Sequence, residues 1–141
     1  MPVTDQRTSC ALLADRHHGL TEGVRSLLET AFATVVMVAD DASLLEAAER
    51  LAPDLAVVDL SLARSGGLGW IQELRRRCPA LKVIVLSIHD EPCVNESALE
   101  AGADAVVLKR AITADLMATV DALRAETSAA GHRRPEPQAR R

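Results

Sequence analysis

Asp54-Leu55-Ala56-Val57-Val58-Asp59 carries four consecutive apolar residues that lead directly into a carboxylate. An unbroken apolar run of this length predicts a strand covered on both faces, as in parallel sheets flanked by helices. The acid that follows such a strand lies at the carboxyl edge of the sheet, where open α/β sheets place their chemistry. Asp59 is therefore the first candidate for a functional residue.

Five apolar runs recur along the chain, and a helical pattern of apolar residues follows each of them. The runs are residues 10–14, 35–39, 55–58, 83–86 and 105–108. Strand and helix thus alternate, and right-handed crossovers between parallel strands place helices on both faces of one sheet. The predicted fold class is α/β, a doubly wound five-stranded parallel sheet of the flavodoxin-like (βα)5 type.

Capping and turn residues predict where three of the helices begin or end. Asp41 and Thr113 are expected to cap the second and fifth helices. Pro92 suits the first turn of the fourth helix, because its missing N–H is not needed there. Gly102 is expected to end that helix in a left-handed conformation.

Length and composition are those of one ordinary domain. The chain has 141 residues, 48% of them hydrophobic and 26% charged, and can bury a core without disulfides or a structural metal. We predict a folded domain at residues 9–126, with disordered tails at 1–8 and 127–141. No apolar run is long enough to span a bilayer, and no secretory signal is visible, so a cytoplasmic location is expected.

Charge, aromatic content and cysteine spacing argue against several classes of protein. A net charge of -4 and only two aromatic residues, Phe32 and Trp70, argue against a basic or base-stacking nucleic-acid surface. The three cysteines, Cys10, Cys78 and Cys93, are an odd number without CxxC spacing. They are predicted to be reduced thiols of the core and not disulfide partners or zinc ligands.

Polar residues follow four of the five predicted strands, and the strand ends should meet at one edge of the sheet. These residues are Asp15, Asp59, Ser87 and Lys109. The set resembles that of receiver domains of bacterial two-component response regulators, most closely those of the NarL/LuxR class, over residues 9–123. The resemblance extends to the sequence around each strand end, in Leu13-Ala14-Asp15, Pro53-Asp54-Leu55-Ala56-Val57-Val58-Asp59-Leu60, Val83-Ile84-Val85-Leu86-Ser87 and Ala101-Gly102-Ala103-Asp104.

The resemblance implies a role for each residue. Asp59 would accept a phosphoryl group as a carboxylate nucleophile, Lys109 would pair with a phosphoryl oxygen, and Ser87 would donate a hydrogen bond to another. It also implies Mg²⁺, held by Asp15, Asp59 and the backbone carbonyl of Ser61. Such a domain is not an enzyme, apart from self-phosphorylation and self-dephosphorylation on Asp59.

The resemblance also implies the partners. The phosphoryl donor would be a sensor histidine kinase or a phosphotransfer protein, and the output would be contact with a downstream protein. The face formed by the fourth helix, fifth strand and fifth helix suggests a homodimer. Too few residues follow Leu123 for a DNA-binding domain, so no direct nucleic-acid binding and no membrane contact are expected. The chain is either a stand-alone receiver or a piece of a longer regulator.

The sequence departs from the family at the metal position. The family usually has a second acid after the first strand, where this chain has Arg16. A guanidinium offers no lone pair to a cation and repels it, so Mg²⁺ binding is predicted to be weakened or abolished. Val106 stands where receivers usually carry a mobile aromatic residue, and Ala63 and Arg110 replace two frequent prolines. An atypical receiver is therefore expected.

Two hypotheses follow for Arg16. In the first, Arg16 pairs permanently with Asp59, because Asp15 and Asp59 balance the charges of Arg16 and Lys109, and the receiver acts independently of phosphorylation. In the second, Asp59 is phosphorylated and Arg16 stands in for the cation near the phosphoryl group.

Three alternatives come from other classes of protein. A cobalamin-binding or other small-ligand-binding flavodoxin-like module is suggested by Asp15-x-His17-x-Gly19. A transition-metal site would use His17, His18 and His89 with Asp15, although surface histidines are common. An acyl-transfer site built on Ser87, His89 and Asp90 lacks a nucleophile elbow.

Overall fold

A computed structural model describes residues 9–15, 18–62, 67–88 and 91–130. Five parallel strands form one sheet in the order β2-β1-β3-β4-β5, with helices on both faces, so the predicted α/β doubly wound fold is confirmed. The elements are β1 (Cys10–Ala14), α1 (His18–Glu29), β2 (Thr34–Val38), α2 (Asp41–Leu51), β3 (Leu55–Asp59), α3 (Gly69–Arg77), β4 (Lys82–Ser87), α4 (Pro92–Ala101), β5 (Ala105–Leu108) and α5 (Ile112–Ala130), with a 3-10 turn at Lys109–Ala111 before α5.

The strand register brings the ends of the central strands to the same level. β3 lies between β1 and β4, with Val58 opposite Ala14 on one side and opposite Val85 on the other. On β4, Ser87 lies opposite Leu108 at the end of β5. The residues at or just after these strand ends therefore meet at the carboxyl edge of the sheet.

Alternate residues of each strand enter two separate cores, as expected of a sheet covered on both faces. Leu12 and Val58 pack with apolar residues of α2 and α3 on one face. Leu13 and Val57 pack with apolar residues of α1 and α5 on the other. Every residue of β3 is buried, which is why its sequence is an unbroken apolar run and not an alternating one.

The fourth helix begins and ends as predicted, whereas two predicted caps are wrong. Pro92 lies in the first turn of α4, and Gly102 follows its end with a φ of 130°. The cap of α2 is Asp40, whose Oδ1 accepts a hydrogen bond from the N–H of Ser43 at 2.7 Å, so Asp41 is already helical. Thr113 is no cap, because the 3-10 turn leads directly into α5 at Ile112.

The last helix is longer than the sequence pattern indicates. α5 continues to Ala130, past the predicted domain boundary at residue 126. Alanine has the highest helix propensity, and the segment past this boundary contains Ala129 and Ala130 but no apolar periodicity from which a helix could be predicted. The predicted tails at 1–8 and 131–141 lie outside the described residues.

The three cysteines are free thiols, as predicted, but they are not all in the core. Cys10 and Cys78 are half-buried, and burial raises the pKa of both thiols. Cys93, the second residue of α4, is exposed. In the part of the chain that the structure describes, no helix combines the length and the apolar character needed to cross a membrane.

Candidate functional site

Asp59 and Lys109 form an ion pair at the carboxyl edge of the sheet. Asp59 is the last residue of β3 and is only 3% exposed, and Lys109 follows β5 directly. The Nζ atom of Lys109 lies 3.2 Å from Oδ1 of Asp59. The same Nζ lies 3.9 Å from Oδ2 of Asp15, which is also buried. One ammonium group thus stands between two carboxylates that belong to neighbouring strands.

Ser61 provides two further donors to Asp59. Its backbone N–H donates to Oδ1 of Asp59 at 3.3 Å, and its hydroxyl donates to Oδ2 at 3.0 Å. The backbone turns sharply here, since the N–H of Leu62 donates to the carbonyl oxygen of Asp59 at 3.0 Å. The turn brings Ser61 back against the carboxylate of Asp59. Short polar side chains commonly form such local hydrogen bonds in turns.

Burial and hydrogen bonding act in opposite directions on Asp59. Burial raises the pKa of its carboxyl group, because a low-polarity environment disfavours the charged form. The ammonium of Lys109 and the two donors of Ser61 lower it, and together they outweigh burial, so the pKa lies below its ordinary value of 3.8. Asp59 is therefore a carboxylate at neutral pH, which is the form that can act as a nucleophile.

Asp15 and Ser87 complete the edge from the two strands that flank β3. Asp15 follows β1, where its N–H donates to the carbonyl oxygen of Val38 at 3.2 Å. Ser87 is the last residue of β4 and is fully buried. The four residues that the sequence singled out, Asp15, Asp59, Ser87 and Lys109, are thus all found at the same edge of the sheet.

The three oxygen ligands that the resemblance implies for Mg²⁺ are among the described residues, but the second acid that usually follows the first strand is replaced by Arg16. The carboxylates of Asp15 and Asp59 and the carbonyl of Ser61 are oxygen ligands of the kind that Mg²⁺ prefers. Arg16, which replaces the second acid, lies outside the described residues. Among the residues that the structure describes, no group of three or more His, Cys, Asp or Glu side chains is arranged to hold a metal ion.

With this geometry in place, comparison with known proteins gives the family. The family model for the response regulator receiver domain matches residues 11–121. This chain belongs to that family. Receivers of this family are in general signal transducers without enzymatic activity, are phosphorylated by sensor kinases and typically use Mg²⁺ at the phosphorylation site.

Curated relatives agree with the NarL/LuxR class. The receiver is 34% identical over 119 residues to the nitrate/nitrite response regulator protein NarL of Escherichia coli, covering 82% of this chain and 54% of that protein. It is 35% identical over 117 residues to the methanol utilization control regulatory protein MoxX of Paracoccus denitrificans, covering 81% of this chain and 52% of the relative. The receiver spans about half the length of these curated relatives.

Solved receiver structures have the same fold. A two-component response regulator of the LuxR family from an Aurantimonas species superposes with a TM-score of 0.77 at 28% identity, covering 84% of this chain and 86% of that one. The non-phosphorylated receiver domain of the stress response regulator RcsB from Escherichia coli superposes with a TM-score of 0.73 at 26% identity, covering 84% and 94%. The cobalamin-binding alternative finds no support in these comparisons.

Several residues of the alternative sites lie outside the described residues. These are His17, His89 and Asp90, and the side chain of His18 is likewise not described. Of the family departures, Ala63 also lies outside. Val106 is partly buried and packs against the core on the α2 and α3 face, and Arg110 is exposed in the 3-10 turn.

The side chain of Ser61 is the site residue that sequence reasoning missed. Only its backbone carbonyl was expected to matter, as a ligand of the family's metal. The signal was available, because a hydroxyl two residues after an acid that ends a strand can fold back onto that acid. The apolar pattern of the strand predicts which residue lies at its end but does not predict the geometry of the turn that follows.

Proposed function

We propose that Asp59 is the phosphoacceptor of this receiver and that a sensor histidine kinase or a phosphotransfer protein supplies the phosphoryl group. The observation that carries the proposal is the buried, ionised Asp59 paired with Lys109 at 3.2 Å. A carboxylate paired with an ammonium on one oxygen can attack phosphorus with the other, while the ammonium offsets the incoming negative charge.

The proposed reaction uses three of the four residues at the strand ends. An oxygen of Asp59 forms a bond to phosphorus, and the bond between phosphorus and the donor's leaving oxygen or nitrogen breaks with its electron pair. Lys109 pairs with a phosphoryl oxygen as a point charge, and the hydroxyl of Ser87 donates to another. The resulting acyl phosphate on Asp59 is the signal that a downstream protein reads by contact.

We further propose that phosphorylation depends less on Mg²⁺ than it does in typical receivers. The position of the second metal acid is occupied by Arg16, whose permanent positive charge can neutralise the phosphoryl group without a metal. Before phosphorylation, the formal charges of Asp15 and Asp59 are cancelled by those of Arg16 and Lys109, so the unmodified site is neutral without a divalent cation.

Incubation with acetyl phosphate tests both parts of the proposal. Intact-mass spectrometry should record the gain of one phosphoryl group on the wild-type chain, both with added Mg²⁺ and with a chelator. The gain should be absent from Asp59→Asn. Arg16→Asp, which restores the second acid, should make the gain depend strongly on Mg²⁺. A wild-type gain that persists in Asp59→Asn contradicts the phosphoacceptor assignment.

The second candidate function is a receiver that acts without phosphorylation. It is favoured by Arg16, which replaces the second acid of the family and which, with Lys109, balances Asp15 and Asp59 in the unmodified chain. No mass gain from acetyl phosphate under any metal condition would support this alternative over the first. Homodimer formation, the downstream protein partner and a cytoplasmic location stay predictions.

A further inference from the structure

The hydroxyl of Ser61 is placed where it can control the reactivity of Asp59. It donates to Oδ2 at 3.0 Å, while Oδ1 accepts from the backbone N–H of Ser61 at 3.3 Å and lies 3.2 Å from Nζ of Lys109. Both oxygens of the carboxylate are therefore held by donors before any phosphoryl donor arrives. The oxygen that is farther from the ammonium is the one held by the hydroxyl.

The two oxygens have different uses in phosphoryl transfer. Oδ1, next to Lys109, is the oxygen whose charge the ammonium already stabilises. Oδ2 is left as the attacking atom, and attack requires a lone pair that points at phosphorus. A hydrogen bond to a charged acceptor is strong, and it draws electron density from the oxygen that must donate to phosphorus.

We propose that Ser61 is a positioning residue whose hydroxyl slows phosphorylation of Asp59, because it donates a hydrogen bond to the oxygen that attacks phosphorus. The inference rests on the proposed function, because it concerns the rate of the same reaction. In the step itself, Oδ2 forms a bond to the phosphorus of acetyl phosphate, the bond from phosphorus to the acetyl oxygen breaks, and acetate leaves with the electron pair. The Ser61 proton stays on its own oxygen and turns away from Oδ2.

Because Ser61 is exposed, its hydroxyl can hold Oδ2 in the unmodified chain and release it during the reaction. Ser61 lies on the exposed side of the turn, whereas Asp59 is buried. The hydroxyl can therefore rotate to water once the phosphoryl group arrives, and no buried donor is left without a partner. The backbone N–H of Ser61 does not depend on the side chain and continues to hold Oδ1 after substitution.

Three variants of the full chain isolate this hydroxyl. Ser61→Ala removes it, and Ser61→Thr keeps a hydroxyl at the same position. Ser97→Ala is the matched control, because Ser97 also donates through its hydroxyl, to the carbonyl of Cys93 at 2.9 Å on the exposed face of α4. Circular dichroism confirms that each variant is folded before its kinetics are measured.

The time course of mass gain from acetyl phosphate is measured over a range of donor concentrations. Ser61→Ala should raise the limiting rate constant by about 3- to 10-fold, the effect of losing one ordinary hydrogen bond whose donor is exposed to water, without changing the donor concentration that gives half the limiting rate. Ser61→Thr and Ser97→Ala should follow the wild type. A limiting rate constant in Ser61→Ala that is unchanged or lower would contradict the proposal that the Ser61 hydroxyl slows phosphorylation.

Asp59→Asn distinguishes two outcomes, one in which the inhibitory role of Ser61 is wrong and one in which the phosphoacceptor role of Asp59 is wrong. If the wild type gains a phosphoryl group that Asp59→Asn lacks, and Ser61→Ala reacts no faster, Asp59 is the phosphoacceptor and the inhibitory role of Ser61 is wrong. If neither the wild type nor Ser61→Ala gains mass, both proposals are wrong. A gain of mass in Ser61→Ala alone would support an inhibitory role of the Ser61 hydroxyl that keeps the wild-type reaction too slow to detect.

Discussion

At the scale of single residues, the site depends on one ammonium between two buried acids. Lys109 is 14% exposed and lies 3.2 Å from Asp59 and 3.9 Å from Asp15. A buried carboxylate is costly without a partner, and two carboxylates at the ends of adjacent strands repel each other. Lys109 therefore contributes to stability as well as to the proposed chemistry.

Lys109→Met should destabilise the fold by about 1–3 kcal/mol near neutral pH, because it leaves Asp59 without its cation. The pKa of Asp59 lies below 3.8 in the wild type, so its contribution is present above 3.8 and is lost as pH falls through the lower folded value. Without Lys109 that pKa rises, and the difference between variant and wild type should shrink on acidification. Urea unfolding at about pH 7 and about pH 3 measures both values.

Arg50→Met is the control for that experiment. The side chain of Arg50 is 73% exposed on α2, and its pair with Glu46 at 3.7 Å is on the surface. Its replacement should change the free energy of unfolding by less than about 0.5 kcal/mol at either pH. An equal loss for Lys109→Met at both pH values would show that the lysine stabilises through packing alone.

At the scale of elements, Arg75 joins α3 to the start of β4 and to the turn between α4 and β5. Its guanidinium donates to the carbonyl oxygen of Gly102 at 2.9 Å and to that of Leu81 at 2.6 Å. It also pairs with Asp104 at 2.7 Å, and Asp104 in turn accepts from the backbone N–H of Val83 at 2.8 Å. One planar cation thus joins α3 to the residue that precedes β4 and to a turn almost thirty residues further along the chain.

Arg75→Ala should lower the free energy of unfolding by about 2–4 kcal/mol, because several carbonyl groups and Asp104 lose their donor at once. Arg75→Lys should recover only part of this, since an ammonium cannot reproduce the guanidinium fork. Chemical denaturation of the three proteins measures the effect. The control is Arg76→Ala, whose side chain is 70% exposed and whose pair with Glu73 is on the surface, with an expected change of about 0.5 kcal/mol. Equal effects of the two alanine variants would contradict this role for Arg75.

At the scale of the whole molecule, the sheet separates two cores that belong to one domain. The single tryptophan, Trp70, is buried in the core on the α2 and α3 face. The other core lies between the sheet and helices α1 and α5 and contains no tryptophan. Because the strands contribute alternate residues to both cores, neither core can form without the sheet.

Unfolding should therefore be one cooperative transition seen equally by two probes. The fluorescence of Trp70 reports on one core, and far-ultraviolet circular dichroism reports on helices of both faces. Their denaturation curves in urea should have the same midpoint and slope. Loss of part of the circular dichroism signal before the fluorescence change would indicate that the two faces unfold separately.

Local sequence patterns were enough to predict the fold class and the residues at the strand ends. The unbroken apolar run of β3 reflects burial on both faces, and parallel strands bring their carboxyl ends together whatever the details of packing. Asp15, Asp59, Ser87 and Lys109 could therefore be predicted to meet. Helix boundaries were less certain, since Asp40 and Asp41 are chemically identical and only backbone geometry selects Asp40 as the cap of α2.

The interactions within the site depended on the folded chain. Which donors hold each oxygen of Asp59 follows from the turn at Ser61 and from the placement of Lys109 by β5, fifty residues away in the sequence. The guanidinium of Arg75 likewise finds its acceptors in two other segments, at Leu81 and at Gly102 and Asp104. Periodicity records which face of an element is buried, whereas hydrogen bonds between distant residues exist only after packing has brought their atoms within about 3 Å of each other.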